Sequence, residues 1–224
     1  SVTGKFWQQV PYGVSEKTQR LDYDELARIA KKYKPDIIVA GFTAYPRKID
    51  WKKFRYIADT VGATLMVDLS HISGLVAGGM HASPFPYADI VTTTTHKTLR
   101  GPRGAMIFAK KDARKLDEKI DKAIFPGLQG GPHENAIAAI AVALREAADA
   151  KFKTYTKQVV KNAQALATEL ARLDWRIISG GTDNHLLLID TWKNGISGKE
   201  ASEKLEAAGI IVNMNTIPFD TRKP

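Results

Sequence analysis

Short apolar runs alternate with stretches of helical periodicity through the first half of the chain. Ile37-Ile38-Val39-Ala40, Thr64-Leu65-Met66-Val67, Ile90 to Thr95 and Ala105-Met106-Ile107-Phe108 are too short for helices. Their apolar and β-branched content reads as buried strands. Between them, Asp22 or Asp24 caps a helix that runs through Tyr33 and is ended by Pro35. Ile49 to Val61 reads as a second helix, with Phe54, Ile57 and Ala58 on one face. Buried strands alternating with helices predict an α/β sheet with helices on both faces.

After Pro132 the pattern changes. Glu134 to Ala150 is alanine-rich and helical. Phe152 to Leu173 is a further helix, with Tyr155, Val159, Ala163, Leu166 and Leu170 at helical spacing. Trp175 to Gly181 and His185 to Asp190 read as a strand pair, Ser197 caps a helix to Ala208, and Ile210-Ile211-Val212 reads as another strand. The expected division is residues 1–150 in an α/β domain and 151–224 as a connecting helix and the opening of a smaller α+β domain.

Composition narrows the class. Across 224 residues, 44% are hydrophobic and 25% charged, which excludes disordered, collagen-like and coiled-coil chains. Cysteine is absent, so thiolate nucleophiles, disulfides and cysteine metal sites are excluded, as fits a cytoplasmic protein. No apolar run approaches the roughly 20 residues of a membrane helix. The N-terminus lacks the basic start and apolar stretch of a signal peptide. The net charge of +9 is spread over scattered lysines and arginines. That reads as a solvated surface suited to small anions rather than a nucleic-acid groove. No metal-ligand cluster stands out.

In an open α/β sheet, functional residues collect beyond the strand C-termini. Gly41-Phe42-Thr43, Asp68 to His71 and Thr95-His96-Lys97 all lie there. A strand that delivers Lys97 into a Gly/Pro turn offers an amine able to form a Schiff base with pyridoxal 5'-phosphate. That cofactor is an electron sink and needs an acidic partner at its pyridine nitrogen, a position Asp68 can fill. Taken alone, Lys97 reads as a surface lysine, Asp68 as a helix cap, and His71 and His96 as core or capping histidines. Their joint placement at two strand ends shifts the balance.

The run from Met66 to Gly79, with Asp68-Leu69-Ser70-His71 at its centre, closely resembles serine hydroxymethyltransferases. So does Val91-Thr92-Thr93-Thr94-Thr95-His96-Lys97-Thr98-Leu99-Arg100-Gly101-Pro102-Arg103-Gly104. The likeness continues through Phe125 to Pro132, Ser179 to His185 and Val212 to Pro218, essentially the whole chain. It implies the aspartate-aminotransferase-like fold of type I pyridoxal-phosphate enzymes. It also implies the reversible conversion of serine and tetrahydrofolate to glycine and methylenetetrahydrofolate.

The resemblance implies a role for each matching residue. Lys97 holds the cofactor as a Schiff base and Asp68 binds its ring nitrogen. His71 hydrogen-bonds near the phenolic oxygen and the substrate, and His96 shapes the pocket. Thr94, Thr95 and Thr43 place hydroxyls near the cofactor, and Arg103 orders the loop beside the lysine. Gly130 and Gly131 form a turn reaching the phosphate of a partner subunit, so a homodimer with shared sites is expected. Asn215 matches an asparagine near the folate ring.

The chain begins with Ser1 and ends at Pro224 without a closing helix, and both ends read as cuts. The resemblance places further family features outside it. These are a phosphate-binding Ser/Gly turn, a ring-stacking histidine, catalytic tyrosine and glutamate positions, and the arginine that clamps the substrate carboxylate. Activity of this chain alone is therefore expected to be impaired. Two other readings stay open: a threonine-aldolase-like lyase of the same fold type, and a non-catalytic RNA-binding role.

Overall fold

The computed structural model describes residues 3–112 and 114–222. Helix α1 spans Thr3–Phe6 and α2 spans Tyr23–Tyr33. Asp22 precedes α2 in extended geometry and its carboxylate accepts from the Glu25 amide at 3.0 Å. That bond satisfies one of the free first-turn donors. Lys34 closes the helix in the left-handed region just before Pro35, where the proline ring disfavours a helical neighbour. Strand β1 (Ile37–Ala40) is followed by α3 (Trp51–Val61), β2 (Thr64–Asp68) and the short α4 (Ser73–Ala77). Next come β3 (Ile90–Thr94), β4 (Ala105–Ala109) and α5 (Leu116–Lys122). The last elements are α6 (Glu134–Ala147), α7 (Ala150–Arg172), β5 (Arg176–Ile177), β6 (Ile189–Asp190) and α8 (Gly198–Ala207).

The main sheet has four strands in the order β1-β2-β3-β4. The first three run parallel, and β4 runs antiparallel to β3. Parallel pairing requires crossovers, and α3 supplies the one from β1 to β2. Strands β5 and β6 form a separate antiparallel pair. The architecture is α/β, as the alternation implied, and the sheet is mixed because β4 is antiparallel.

One sheet face is buried. Ile38 and Ala40, Leu65 and Val67, and Val91 pack against Leu26 and Ala30 of α2, Phe54, Ile57 and Ala58 of α3, and Leu75 of α4. The expectation of four fully buried strands with helices on both faces needs correction. Ile37, Val39 and Ile107 remain 51%, 50% and 44% exposed. Successive strand residues point to opposite faces, so cover on one side alone leaves alternate positions open. Strand β4 is largely exposed rather than buried.

Two further expectations change. Ile210 to Val212 is exposed and forms no strand. The buried stripe of α7 is Phe152, Thr156, Ala163 and Ala167, while Tyr155 and Leu166 are exposed. The stripe shifts because the helix meets α4 where Gly78 lacks a side chain: a Cβ there would collide with the Thr156 hydroxyl. Tyr155 instead lies under the Arg100 guanidinium, 4.8 Å from its ring centre.

Behind β2 and β3, buried Asp89 joins several elements. It accepts from Arg55 and Arg114 at 2.7 Å each and from the Leu65 amide at 2.8 Å. Burial alone would raise its pKa, but these donors outweigh that and hold it at about 2. A depressed carboxylate pKa contributes stability that is present above the unfolded value and lost as pH falls toward the folded one. Denaturant unfolding should therefore lose roughly 2 kcal/mol between pH 4 and pH 2. Asp89→Asn should be less stable by about 2–3 kcal/mol at neutral pH and should lack that acid-dependent step. An unchanged acid limb in the variant would contradict the assignment.

Candidate active site

Because β1, β2 and β3 are parallel, their C-terminal ends share one edge of the sheet. Asp68 is the last residue of β2 and pairs with Thr92 of β3. Its Oδ1 accepts from the Ser70 amide at 3.0 Å and from the Ser70 hydroxyl at 2.6 Å. The Ser70 hydroxyl accepts from the Thr94 amide at 3.0 Å. Asp68 Oδ2 has no hydrogen-bond partner among the described residues. The Lys97 ammonium donates to the Thr94 hydroxyl at 3.3 Å. Asp68, Ser70, Thr94 and Lys97 are thus linked through two adjacent strand ends.

The lysine loop closes on itself. Buried Thr95 receives the Gly101 amide on its carbonyl at 2.8 Å and donates its hydroxyl to the Pro102 carbonyl at 2.6 Å. Thr98 ties this loop to the one after β2: its hydroxyl accepts from the Gly74 amide at 2.9 Å and donates to the His71 carbonyl at 3.1 Å. Both approaches need glycine. A side chain on Gly74 would strike the Thr98 backbone, and one on Gly41 would strike the Asp68 carbonyl. Gly41 also has φ of +141°, a region L-residues rarely adopt.

Histidines complete the edge. Burial lowers the pKa of His71, the nearby Lys97 charge lowers it further, and Asp68 opposes both. His185 is pushed down to about 4, by burial first and by His71 second. His185 Nδ1 and His96 Nδ1 are buried without hydrogen-bond partners among the described residues. His71, His185, Thr43 and Asn215 share the wall of a cavity of about 600 Å³.

His185 reaches that wall through a long-range clasp. Arg47 donates to the Ser179 hydroxyl at 3.0 Å, the Ser179 carbonyl at 2.5 Å and Asp183 at 3.1 Å. Asn184 donates to the Tyr45 carbonyl at 2.8 Å. Sequence reading did not single out Ser70, Thr98, Arg47 or His185 as site residues. Ser70 had a local signal, a hydroxyl two residues beyond a strand-terminal Asp. Arg47 had none, because its partners lie more than 130 residues away.

Of the other candidates, Thr43 and Asn215 line the cavity, and Arg103, Gly130 and Gly131 do not. Thr43 is exposed at the cavity rim, and Asn215 is exposed on its wall. Arg103 is exposed, with no ion pair or hydrogen bond among the described residues. Gly130 and Gly131 lie on an exposed turn with open space around them.

A family model described as serine hydroxymethyltransferase matches residues 1–224. The chain belongs to the serine hydroxymethyltransferase family. It is 56% identical over 224 residues to a serine hydroxymethyltransferase of Desulfotalea psychrophila. That match covers all of this chain and 52% of the relative, so the chain spans about half the length of the curated relative it matches. Among the described residues no helix is long and apolar enough to cross a membrane, and no group of side chains is arranged to hold a metal ion.

A histidine with a depressed folded pKa disfavours the folded state once protonated. Its contribution is complete above the unfolded value near 6.5 and is lost as pH falls toward about 4. His185→Gln should flatten the stability profile over that window, where the parent chain should lose about 2–3 kcal/mol. Ring-proton titration by NMR should find the His185 imidazole still neutral at pH 5. A midpoint near 6.5 would contradict this.

Proposed function

We propose that this chain carries the cofactor-lysine region of a pyridoxal-phosphate enzyme. The reaction is the reversible conversion of serine and tetrahydrofolate to glycine and methylenetetrahydrofolate. The observation that carries the reading is the linked set Asp68, Ser70, Thr94 and Lys97 at one strand edge beside His71. The residues fit the cofactor: Lys97 offers an amine, and Asp68 Oδ2 is a carboxylate oxygen with no hydrogen-bond partner among the described residues. When bound, pyridoxal phosphate supplies an electron sink for charge developing at an amino-acid α-carbon.

The chain's own residues divide the remaining work. Lys97 Nζ is the amine nucleophile that would hold the cofactor. Asp68 would hold the ring nitrogen as its acidic partner. The Thr94 hydroxyl takes one Lys97 proton as a hydrogen bond and so aims the amine. His71 is kept toward its neutral form, so its imidazole can accept or return a proton near the substrate. His96 packs beside the lysine, with Thr43 at the rim. Arg103 would join the site only through a shift of its exposed side chain. Asn215 would face the folate ring across the cavity.

In this reading, residues 1–150 belong to a fold-type-I large domain and 151–224 open a small α+β domain. The protein acts in the cytoplasm as a homodimer, with Gly130 and Gly131 reaching a partner's phosphate. Exposed Leu128, Ile137, Val142 and Leu144 are apolar surface that a second copy would cover. Backbone amides on a glycine turn can approach a phosphate closely because no side chain intervenes.

Incubation with pyridoxal phosphate, borohydride reduction and peptide mapping tests the reading. The adduct should concentrate on Lys97, exceeding any other lysine by about tenfold, and should vanish in Lys97→Ala. Adduct spread evenly over surface lysines would reject the site.

A further inference from the structure

Ser70 is buried directly between Asp68 and Thr94, and its hydrogen bonds have only one workable direction. The Thr94 amide can only donate, so the Ser70 oxygen must accept there. An ionised carboxylate can only accept, so the single hydroxyl proton points to Asp68 Oδ1, 2.6 Å away. The Ser70 amide reaches the same oxygen at 3.0 Å. Oδ1 thus takes two donors from one residue, and Oδ2 takes none among the described residues. Accepting from Thr94 polarises the hydroxyl and strengthens its donation to Asp68.

We propose that Ser70 is a positioning residue for Asp68: its hydroxyl ties the carboxylate to the lysine-bearing strand and reserves Oδ2 for a cationic ring nitrogen. This rests on the cofactor reading of the same site. Ser70 fixes two things together. The carboxylate cannot rotate without losing both Oδ1 bonds. Its height relative to Lys97 is set through Thr94, whose amide holds Ser70 and whose hydroxyl holds the lysine. A residue that merely closed the turn after β2 would influence any ligand equally. A residue that acts through Asp68 influences only ligands with a ring nitrogen.

The test compares pyridoxal phosphate with its analogue in which carbon replaces the ring nitrogen. Dissociation constants are read by absorbance, and attachment at Lys97 by borohydride trapping. The full chain is used as wild type, Ser70→Ala, Asp68→Asn and the double variant. Wild type should prefer pyridoxal phosphate. Ser70→Ala should bind it about tenfold more weakly and bind the analogue within about twofold of wild type. In the Asp68→Asn background the serine change should add nothing further.

Equal weakening of both ligands by Ser70→Ala, weakening of neither, or a loss that persists without the Asp68 carboxylate overturns the proposal. If Ser70→Ala does not fold by circular dichroism, Ser70→Cys takes its place. It is nearly isosteric with a much weaker donor, and an unchanged preference in it overturns the proposal equally. Wild type that forms no Lys97 adduct with either ligand rejects the cofactor reading and this inference with it. Wild type that binds both ligands equally rejects the Asp68 role alone.

Discussion

Strands β2 and β3 run parallel, and Asp68 faces Thr92 at the last step of their ladder. Everything chemical in the molecule depends on that register. It sets the carboxylate beside the strand that goes on to deliver Lys97, and it brings the Thr94 amide within reach of Ser70. A slip of one residue would turn Asp68 into the buried face and Val67 out of it. Burial of Leu65, Val67 and Val91 on that face makes such a slip costly, so the hydrophobic core sets the geometry of the polar edge.

Close backbone approach is the second requirement. Gly41, Gly74 and Gly78 each sit where a side chain would meet a neighbouring segment. These contacts bring the ends of β1 and β2, the lysine loop and the start of α7 within touching distance. Thr98 and Thr95 then satisfy the polar groups of the loops that were drawn together. On the far side, Asp89 bridges two arginines while holding the strand starts in place. The site edge is left with polar groups that have spare capacity, such as Asp68 Oδ2 and the Nδ1 atoms of His96 and His185.

Much of this was legible from the chain. Apolar runs located β1 to β4 within about a residue, because a short β-branched or apolar run has few other stable states. Asp22 and Ser197 marked helix starts, because their side chains satisfy amides that nothing else local can satisfy. Asp68, His71 and Lys97 could be grouped from strand-end position alone, while Thr94 entered through the family resemblance. Reading failed where the outcome depended on a neighbour distant in sequence. The antiparallel β4, the open face carrying Val39 and Ile107, and the shifted stripe of α7 are such cases. The apolar Ile210 to Val212 run found no strand to pair with and stayed exposed.

The amino-acid sequence by itself determined the order of strands β1 to β4, the strand that ends in Asp68, the loop that carries Lys97 and the family to which the chain belongs. These are local or pattern properties, carried by side-chain periodicity and short motifs. Only the tertiary structure decided that Ser70 shares its hydroxyl between Asp68 and Thr94. It alone decided that Arg47 clasps the Ser179–Asp183 loop, and that His71 stands near enough to His185 to lower its pKa. Hydrogen-bond direction and the electrostatics of burial depend on distances of a few ångströms between distant segments. Sequence spacing does not encode those distances; they follow once the core has packed.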